Sequence, residues 1–119
     1  MRLLPTTLDL LILRALSWEP THGAGVGAWI TLVTDGAFVL EDGTLYPALH
    51  RMERRGWVTS DWGQSEHGRR ARHYQLTPAG RQRLAQMVAE WEAYAGAVQR
   101  AVRYGNPRGL WAARTDRQG

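Results

Sequence analysis

The stretch Gly43-Thr44-Leu45-Tyr46-Pro47-Ala48-Leu49-His50-Arg51-Met52-Glu53-Arg54-Arg55-Gly56-Trp57-Val58 decides the fold. Leu45, Leu49 and Met52 stand at i, i+4 and i+7, so they share one helical face. Thr44, Pro47, His50, Arg51 and Arg54 fall on the remainder, and Gly56 is placed to end the helix. The spacing predicts a helix over 44–55. A helix that buries an apolar stripe and offers Thr, His and Arg elsewhere suits the DNA major groove.

The segment that follows extends this reading. Trp57-Val58-Thr59-Ser60-Asp61-Trp62 and Ala71-Arg72-His73-Tyr74-Gln75-Leu76 are rich in β-branched or aromatic residues. Between them lies a polar, glycine-bearing loop over 63–70, so the pair reads as a β-hairpin. Arg69 and Arg70 stand at its tip and Arg72 just beyond. A helix followed by a basic hairpin is the outline of a winged helix-turn-helix. The hairpin would reach phosphates or the adjacent minor groove.

The block from Gly43 to Arg83 resembles the PadR family of bacterial transcriptional regulators. The residues that carry the resemblance are GTLYPAL (43–49), RMERRGWV (51–58), the wing GQSEHGRRARHYQLT (63–77) and PAGRQRL (78–84). TLDLLILRAL (7–16) and Pro20-Thr21-His22-Gly23 upstream also fit, so the likeness spans roughly residues 5 to 104. One departure stands at 24–27. The family usually has an aromatic and an acidic residue after His22-Gly23, where this chain has Ala24-Gly25-Val26-Gly27.

Charge is distributed in the same sense. Residues 1–42 hold two Arg against five acidic residues, a net of −3. Residues 43–83 hold eight Arg against three acidic residues, a net of +5, and residues 84–119 a net of +2. The positive charge thus lies on the recognition helix, the wing and the start of the last helix, which is a footprint for a polyanion. All fifteen strongly basic residues are Arg. Arg forks onto phosphate or guanine in a way Lys does not, although a GC-rich genome accounts for the missing Lys without any functional reason. The absence of Cys excludes disulfides, thiolate metal sites and a Cys nucleophile, and fits a cytoplasmic protein. No segment approaches the ~18–20 apolar residues of a membrane span, and the N-terminus lacks a signal-peptide pattern. A length of 119 residues allows one domain with a modest core.

Along the chain, Thr6 and Asp9 have the spacing of a capping box for a first helix over about 7–17. A second helix is expected over about 22–34, with Val26, Trp29, Ile30 and Val33 as its apolar face. Gly23, Gly25 and Gly27 each weaken it by about 1 kcal/mol relative to Ala. Their spacing lacks the preceding strand of a dinucleotide site. Asp35-Gly36 and Asp42-Gly43 read as turns around a short extended piece, 37–40. Thr77-Pro78 is a helix start, Thr as N-cap and Pro at the first position. That helix runs to about Arg103, some 26 residues or ~39 Å. Leu84, Val88, Trp91, Ala95, Val98 and Val102 recur along it at steps of four and three, a heptad seam suited to dimerisation. The same stripe could instead cover the chain's own first helix. Gly105-Asn106-Pro107 ends the helix, and Arg108–Gly119 reads as a mobile tail.

Chemistry is absent where catalysis would need it. His22, His50, His67 and His73 are scattered without metal-ligand spacing, and Glu90 and Glu92 face different directions on a helix. No catalytic residue, cofactor or metal is expected. The expected architecture is mainly α with a small β-hairpin: a winged helix-turn-helix over 1–77, a dimerisation helix over 78–104 and a tail over 105–119. The expected function is that of a homodimeric regulator of transcription, most simply a repressor. Thr44, Tyr46, His50, Arg51 and Arg54 would meet double-stranded DNA from the helix, and Arg69, Arg70 and Arg72 from the wing. Some PadR-like regulators that bind flat aromatic compounds use a tryptophan where two subunits meet. The resemblance therefore implies a small aromatic effector against Trp91, Tyr94 and Leu11, with plain seam packing as the competing reading. The rival function is a winged-helix protein-interaction adaptor without DNA binding, which an uncharged wing and recognition face would mark.

Overall fold

The computed structural model describes residues 1–64 and 68–109. Loop residues 65–67, and the expected tail from 110 onward, lie outside the described residues. In chain order the elements are α1 (Pro5–Leu16), β1 (Thr21–His22), α2 (Gly23–Val33), α3 (Asp42–Arg54), β2 (Val58–Gln64), β3 (Arg70–Leu76) and α4 (Pro78–Arg103). The described residues are mainly helical, with a small antiparallel sheet in the order β1-β3-β2. Met1–Val88 forms one compact unit and Ala89–Gly119 a second.

The core of the first unit follows the helical and strand periodicities. Ile12 and Leu13 of α1, Val26 and Ile30 of α2, and Leu49 and Met52 of α3 are wholly buried. Val58, Tyr74 and Leu76 close it from the sheet, and Leu84 and Met87 from the first turns of α4. Each large aliphatic side chain so buried contributes about 1.5–3 kcal/mol. The core is therefore assembled from all four helices and both strands of the wing.

Several local expectations give way to other solutions. The Thr6–Asp9 capping box does not form. Leu4 is the N-cap without a side-chain bond, and Pro5 opens α1 because its missing N–H costs nothing there. Asp9 is instead buried and pairs with Arg51 of α3. Val33 is half exposed rather than part of the apolar face of α2. The extended piece 37–40 pairs with no strand among the described residues, and Phe38 is held by two threonines of α2 and its C-cap. The Thr31 hydroxyl donates to the Phe38 carbonyl at 2.9 Å, and Phe38 N–H donates to Thr34 Oγ1 at 3.3 Å. Asp42 opens α3 instead of making a turn, its charge favourable near the positive end of the helix. β1 has only two residues, and its pairing with β3 (Thr21 with Tyr74, His22 with His73) makes it a strand.

Two turns behave as the sequence predicts. Asp35 and Gly36 both take positive φ, 51° and 78°. Gly56, at φ 77°, ends α3: Gly56 N–H bonds Glu53 O and Trp57 N–H bonds Met52 O, closing the last carbonyls of the helix. Thr77 then caps α4, accepting from Gly80 N–H at 3.0 Å and donating its hydroxyl to Gly56 O at 2.6 Å. Thr77 N–H also reaches Trp57 O at 3.1 Å. The end of α3 and the start of α4 are thereby fastened together. Gly80 is required at this junction, since a Cβ there would lie 1.9 Å from Trp57 O.

Candidate nucleic-acid interface

α3 is amphipathic in the expected sense. Leu45, Ala48, Leu49 and Met52 are buried, while Thr44, Pro47, His50 and Arg54 are exposed. Thr44, His50 and Arg54 therefore form the free polar face of the helix. Tyr46 and Arg51 are placed differently. Tyr46 is half-buried, and its ring lies so close to Gly23 that a Cβ there would stand 2.5 Å from Tyr46 Cε1. Arg51 keeps about a third of its side chain exposed, yet its guanidinium is bonded to the Asp9 carboxylate. Burial holds the Asp9 carboxyl above the ordinary carboxylate range, opposed by the Arg51 charge beside it. Arg51 thus ties α3 to α1 first, and only its remaining surface is available to a ligand.

The wing is a regular hairpin, with Val58 opposite Leu76 and Gln64 opposite Arg70. Alternate residues of a strand share a face. The face that buries Val58, Tyr74 and Leu76 at the root therefore continues outward as Ser60, Trp62, Arg72 and Arg70. Burial pushes the Tyr74 phenol up, so it stays neutral within that root. Further out, Arg72 donates to Ser60 Oγ at 2.7 Å through Nη2 and at 3.1 Å through Nε. Ser60 in turn donates to Glu53 of α3, whose carboxylate stands 3.8 Å from Arg72 Nη2. This Glu53–Ser60–Arg72 contact braces the wing against α3.

Trp62 is the wing residue that sequence reasoning missed. It is 56% exposed, and the guanidiniums of Arg70 and Arg72 lie 4.8 and 5.6 Å from its ring. The cluster presents two cations beside an aromatic plate, and Arg69 is exposed next to it. Its signal lay in the hairpin register, which sets Trp62 opposite Arg72. Charge alone did not show it.

The seam read along α4 divides at the end of the first unit. Leu84 is buried in the core of that unit, and Val88 is half-buried against it. In the second unit Trp91, Val98 and Val102 are 48%, 45% and 76% exposed, and Ala95 is partly covered. The Trp91 and Tyr94 rings stack with centroids 6.3 Å apart. Leu11 is partly buried against the core of the first unit. Among the described residues no group of three or more His, Asp or Glu is placed to hold a metal ion. No helix among them is long and apolar enough to cross a membrane.

Comparison with known proteins bears on the same elements. The model of the transcriptional regulator PadR-like family matches residues 12–86, from α1 through the wing into α4. The transcriptional regulator Rv3488 of Mycobacterium tuberculosis is 41% identical over 61 residues, 50% of this chain and 56% of that protein. A transcriptional regulator from Clostridium thermocellum shares 28% identity at a TM-score of 0.73, over 82% of this chain and 95% of that one. A PadR family transcription regulator from Clostridium difficile also shares 28% identity, at a TM-score of 0.68, over 80% of this chain and 97% of that one.

Proposed function

Because this chain belongs to the PadR-like family of transcriptional regulators, we propose that it binds double-stranded DNA as a homodimer and represses transcription by occluding a promoter. The observation that carries the reading is the pairing of two surfaces. The exposed Thr44, His50 and Arg54 of α3 stand with a wing whose outer face holds Trp62, Arg69, Arg70 and Arg72. The helix face has the donors and acceptors that read base edges. The wing has the guanidiniums that neutralise phosphate. Two such units in a dimer would meet successive major grooves about 34–36 Å apart.

The dimer contact is assigned to the exposed part of the α4 stripe, Trp91, Ala95, Val98 and Val102. Apolar side chains at heptad spacing need a partner surface to leave water. The stacked Trp91 and Tyr94 rings on that stretch are where a small aromatic effector would act, changing the spacing of the two wings.

A shift assay on the DNA upstream of the chain's own gene tests the reading. The protein should retard this fragment, and affinity should fall steeply with salt. Replacing Arg69 and Arg70 by Ala should weaken binding to every sequence and reduce the salt slope by roughly 1–2. An unchanged slope would remove the wing from the interface. Absence of any DNA binding would favour the adaptor reading.

A further inference from the structure

A cleft of about 430 Å³ lies in the first unit, between the end of α1, α2 and the sheet. His73, which lines it, stands on the sheet face opposite Arg72, because neighbouring residues of a strand point to opposite sides. The cleft thus lies within the first unit, on the side of the sheet away from Arg72. Its size falls within the ~300–1,000 Å³ usual for small-molecule sites.

Its lining is aromatic. Trp18, His22, Trp29 and His73 all border it, and the His22 and His73 rings lie 5.6 Å apart. Gly25 keeps the α2 wall free of a side chain, and a Cβ there would stand 2.7 Å from Thr21 Cγ2. Among the described residues that line the cleft there is no Lys or Arg, and Glu19 is the one carboxylate. Indole faces attract cations more strongly than other aromatic rings do, and a nearby carboxylate adds to that preference. Arg14, which does not line the cleft, holds its guanidinium 4.3 Å over the Trp18 ring, and that ring is still 62% exposed.

We propose that this cleft binds a planar aromatic cation. The flat ring stacks on the tryptophan and histidine rings, and its positive charge is met by Glu19. The occupant touches both the wing, through His73, and the turn between α1 and α2. A ligand that favours one wing position therefore changes DNA affinity by the same factor that DNA changes its own. That regulatory consequence rests on the DNA-binding reading; ligand binding itself does not.

Calorimetry on the full chain without DNA tests the site, with N-methylquinolinium as cation, quinoline as neutral isostere and quinoline-2-carboxylate as anion. The cation should bind about tenfold tighter than the anion. Trp18→Ala should weaken all binding. Glu19→Gln should abolish the preference for the cation and leave quinoline unchanged. Both residues are exposed, so neither change threatens the fold. In a Trp91→Ala background, which removes the aromatic site proposed on α4, the preference for the cation and its dependence on Trp18 and Glu19 should persist. Equal binding of the three compounds, indifference to both cleft variants, or loss of the cation preference in that background would overturn the proposal.

Discussion

The two halves of α4 carry one apolar stripe and meet different fates. Leu84 and Met87 are 8% and 3% exposed, while Val98 and Val102, further along, are 45% and 76% exposed. The first half completes a core that α1, α2, α3 and the sheet have already enclosed on other sides. The second half has helix-forming composition and apolar spacing, yet Trp91, Val98 and Val102 stay exposed among the described residues. A heptad pattern therefore states that a face must be covered without stating by what. In the first half the answer lies in the same chain; in the second we assign it to another copy.

The sharpest test of that contrast uses two glycines of the same helix. A Cβ at Gly80 would lie 1.9 Å from Trp57 O, a backbone atom that cannot swing away. Among the described residues, a Cβ at Gly96 would meet Arg100 Nη1 alone, at 3.5 Å, the far end of a flexible side chain. Gly80→Ala should destabilise the chain by about 3 kcal/mol through overpacking. Gly96→Ala should be neutral or stabilise by up to about 1 kcal/mol, since Ala favours the helix. Urea denaturation of the two variants measures both. Equal effects would mean that the start of α4 is not fastened at the Gly56–Trp57 turn.

A smaller effect on folding, but a larger one on assembly, is expected in the second half. Val98→Asp should leave the unfolding midpoint of the isolated chain nearly unchanged, because Val98 is already half exposed. A charge in an apolar seam should nevertheless separate the dimer. Sedimentation would then show monomer, and operator affinity should fall on the order of a hundredfold as the two half-sites lose their linkage. A dimer retained at normal affinity would move the interface off this stripe.

The contrast also explains what the sequence could tell. Elements whose pattern is local were legible. Leu45, Leu49 and Met52 placed the recognition helix, Thr77-Pro78 the start of α4, and Gly56 the end of α3. Features created by partners distant in sequence were not. β1 is a strand only because Thr21 and His22 meet β3, and two residues carry no periodicity of their own. Asp9 read as a capping residue because Thr6 has the right spacing. Its burial and its pairing with Arg51, 42 positions on, depend on α1 crossing α3. Trp62 was visible as a strand residue, but its place between Arg70 and Arg72 follows from the hairpin register. The face of α3 was legible to within two residues, Tyr46 and Arg51, which the core and α1 claim in part.

Asp9 supplies the smallest and most discriminating test, because burial and ion pairing act on it in opposite senses. Its folded-state pKa is raised, burial being the larger cause and the Arg51 charge the opposing one. An acid whose pKa is raised on folding favours the native state most when protonated. Its contribution is fully present below the unfolded value near 3.8 and is lost as pH rises through the higher folded value. Asp9→Asn keeps an acceptor for Arg51 and removes the titration. The stability of the natural chain relative to this variant should therefore decline from pH 4 towards neutrality, and Asp9→Asn should be at least as stable at pH 7. Urea midpoints of the two proteins across that range give the comparison directly. If the natural chain instead gains on the variant as pH rises, the Asp9–Arg51 attraction outweighs the cost of burying the carboxylate. The link between α1 and the recognition helix would then be a true electrostatic clamp, strongest when Asp9 is ionised.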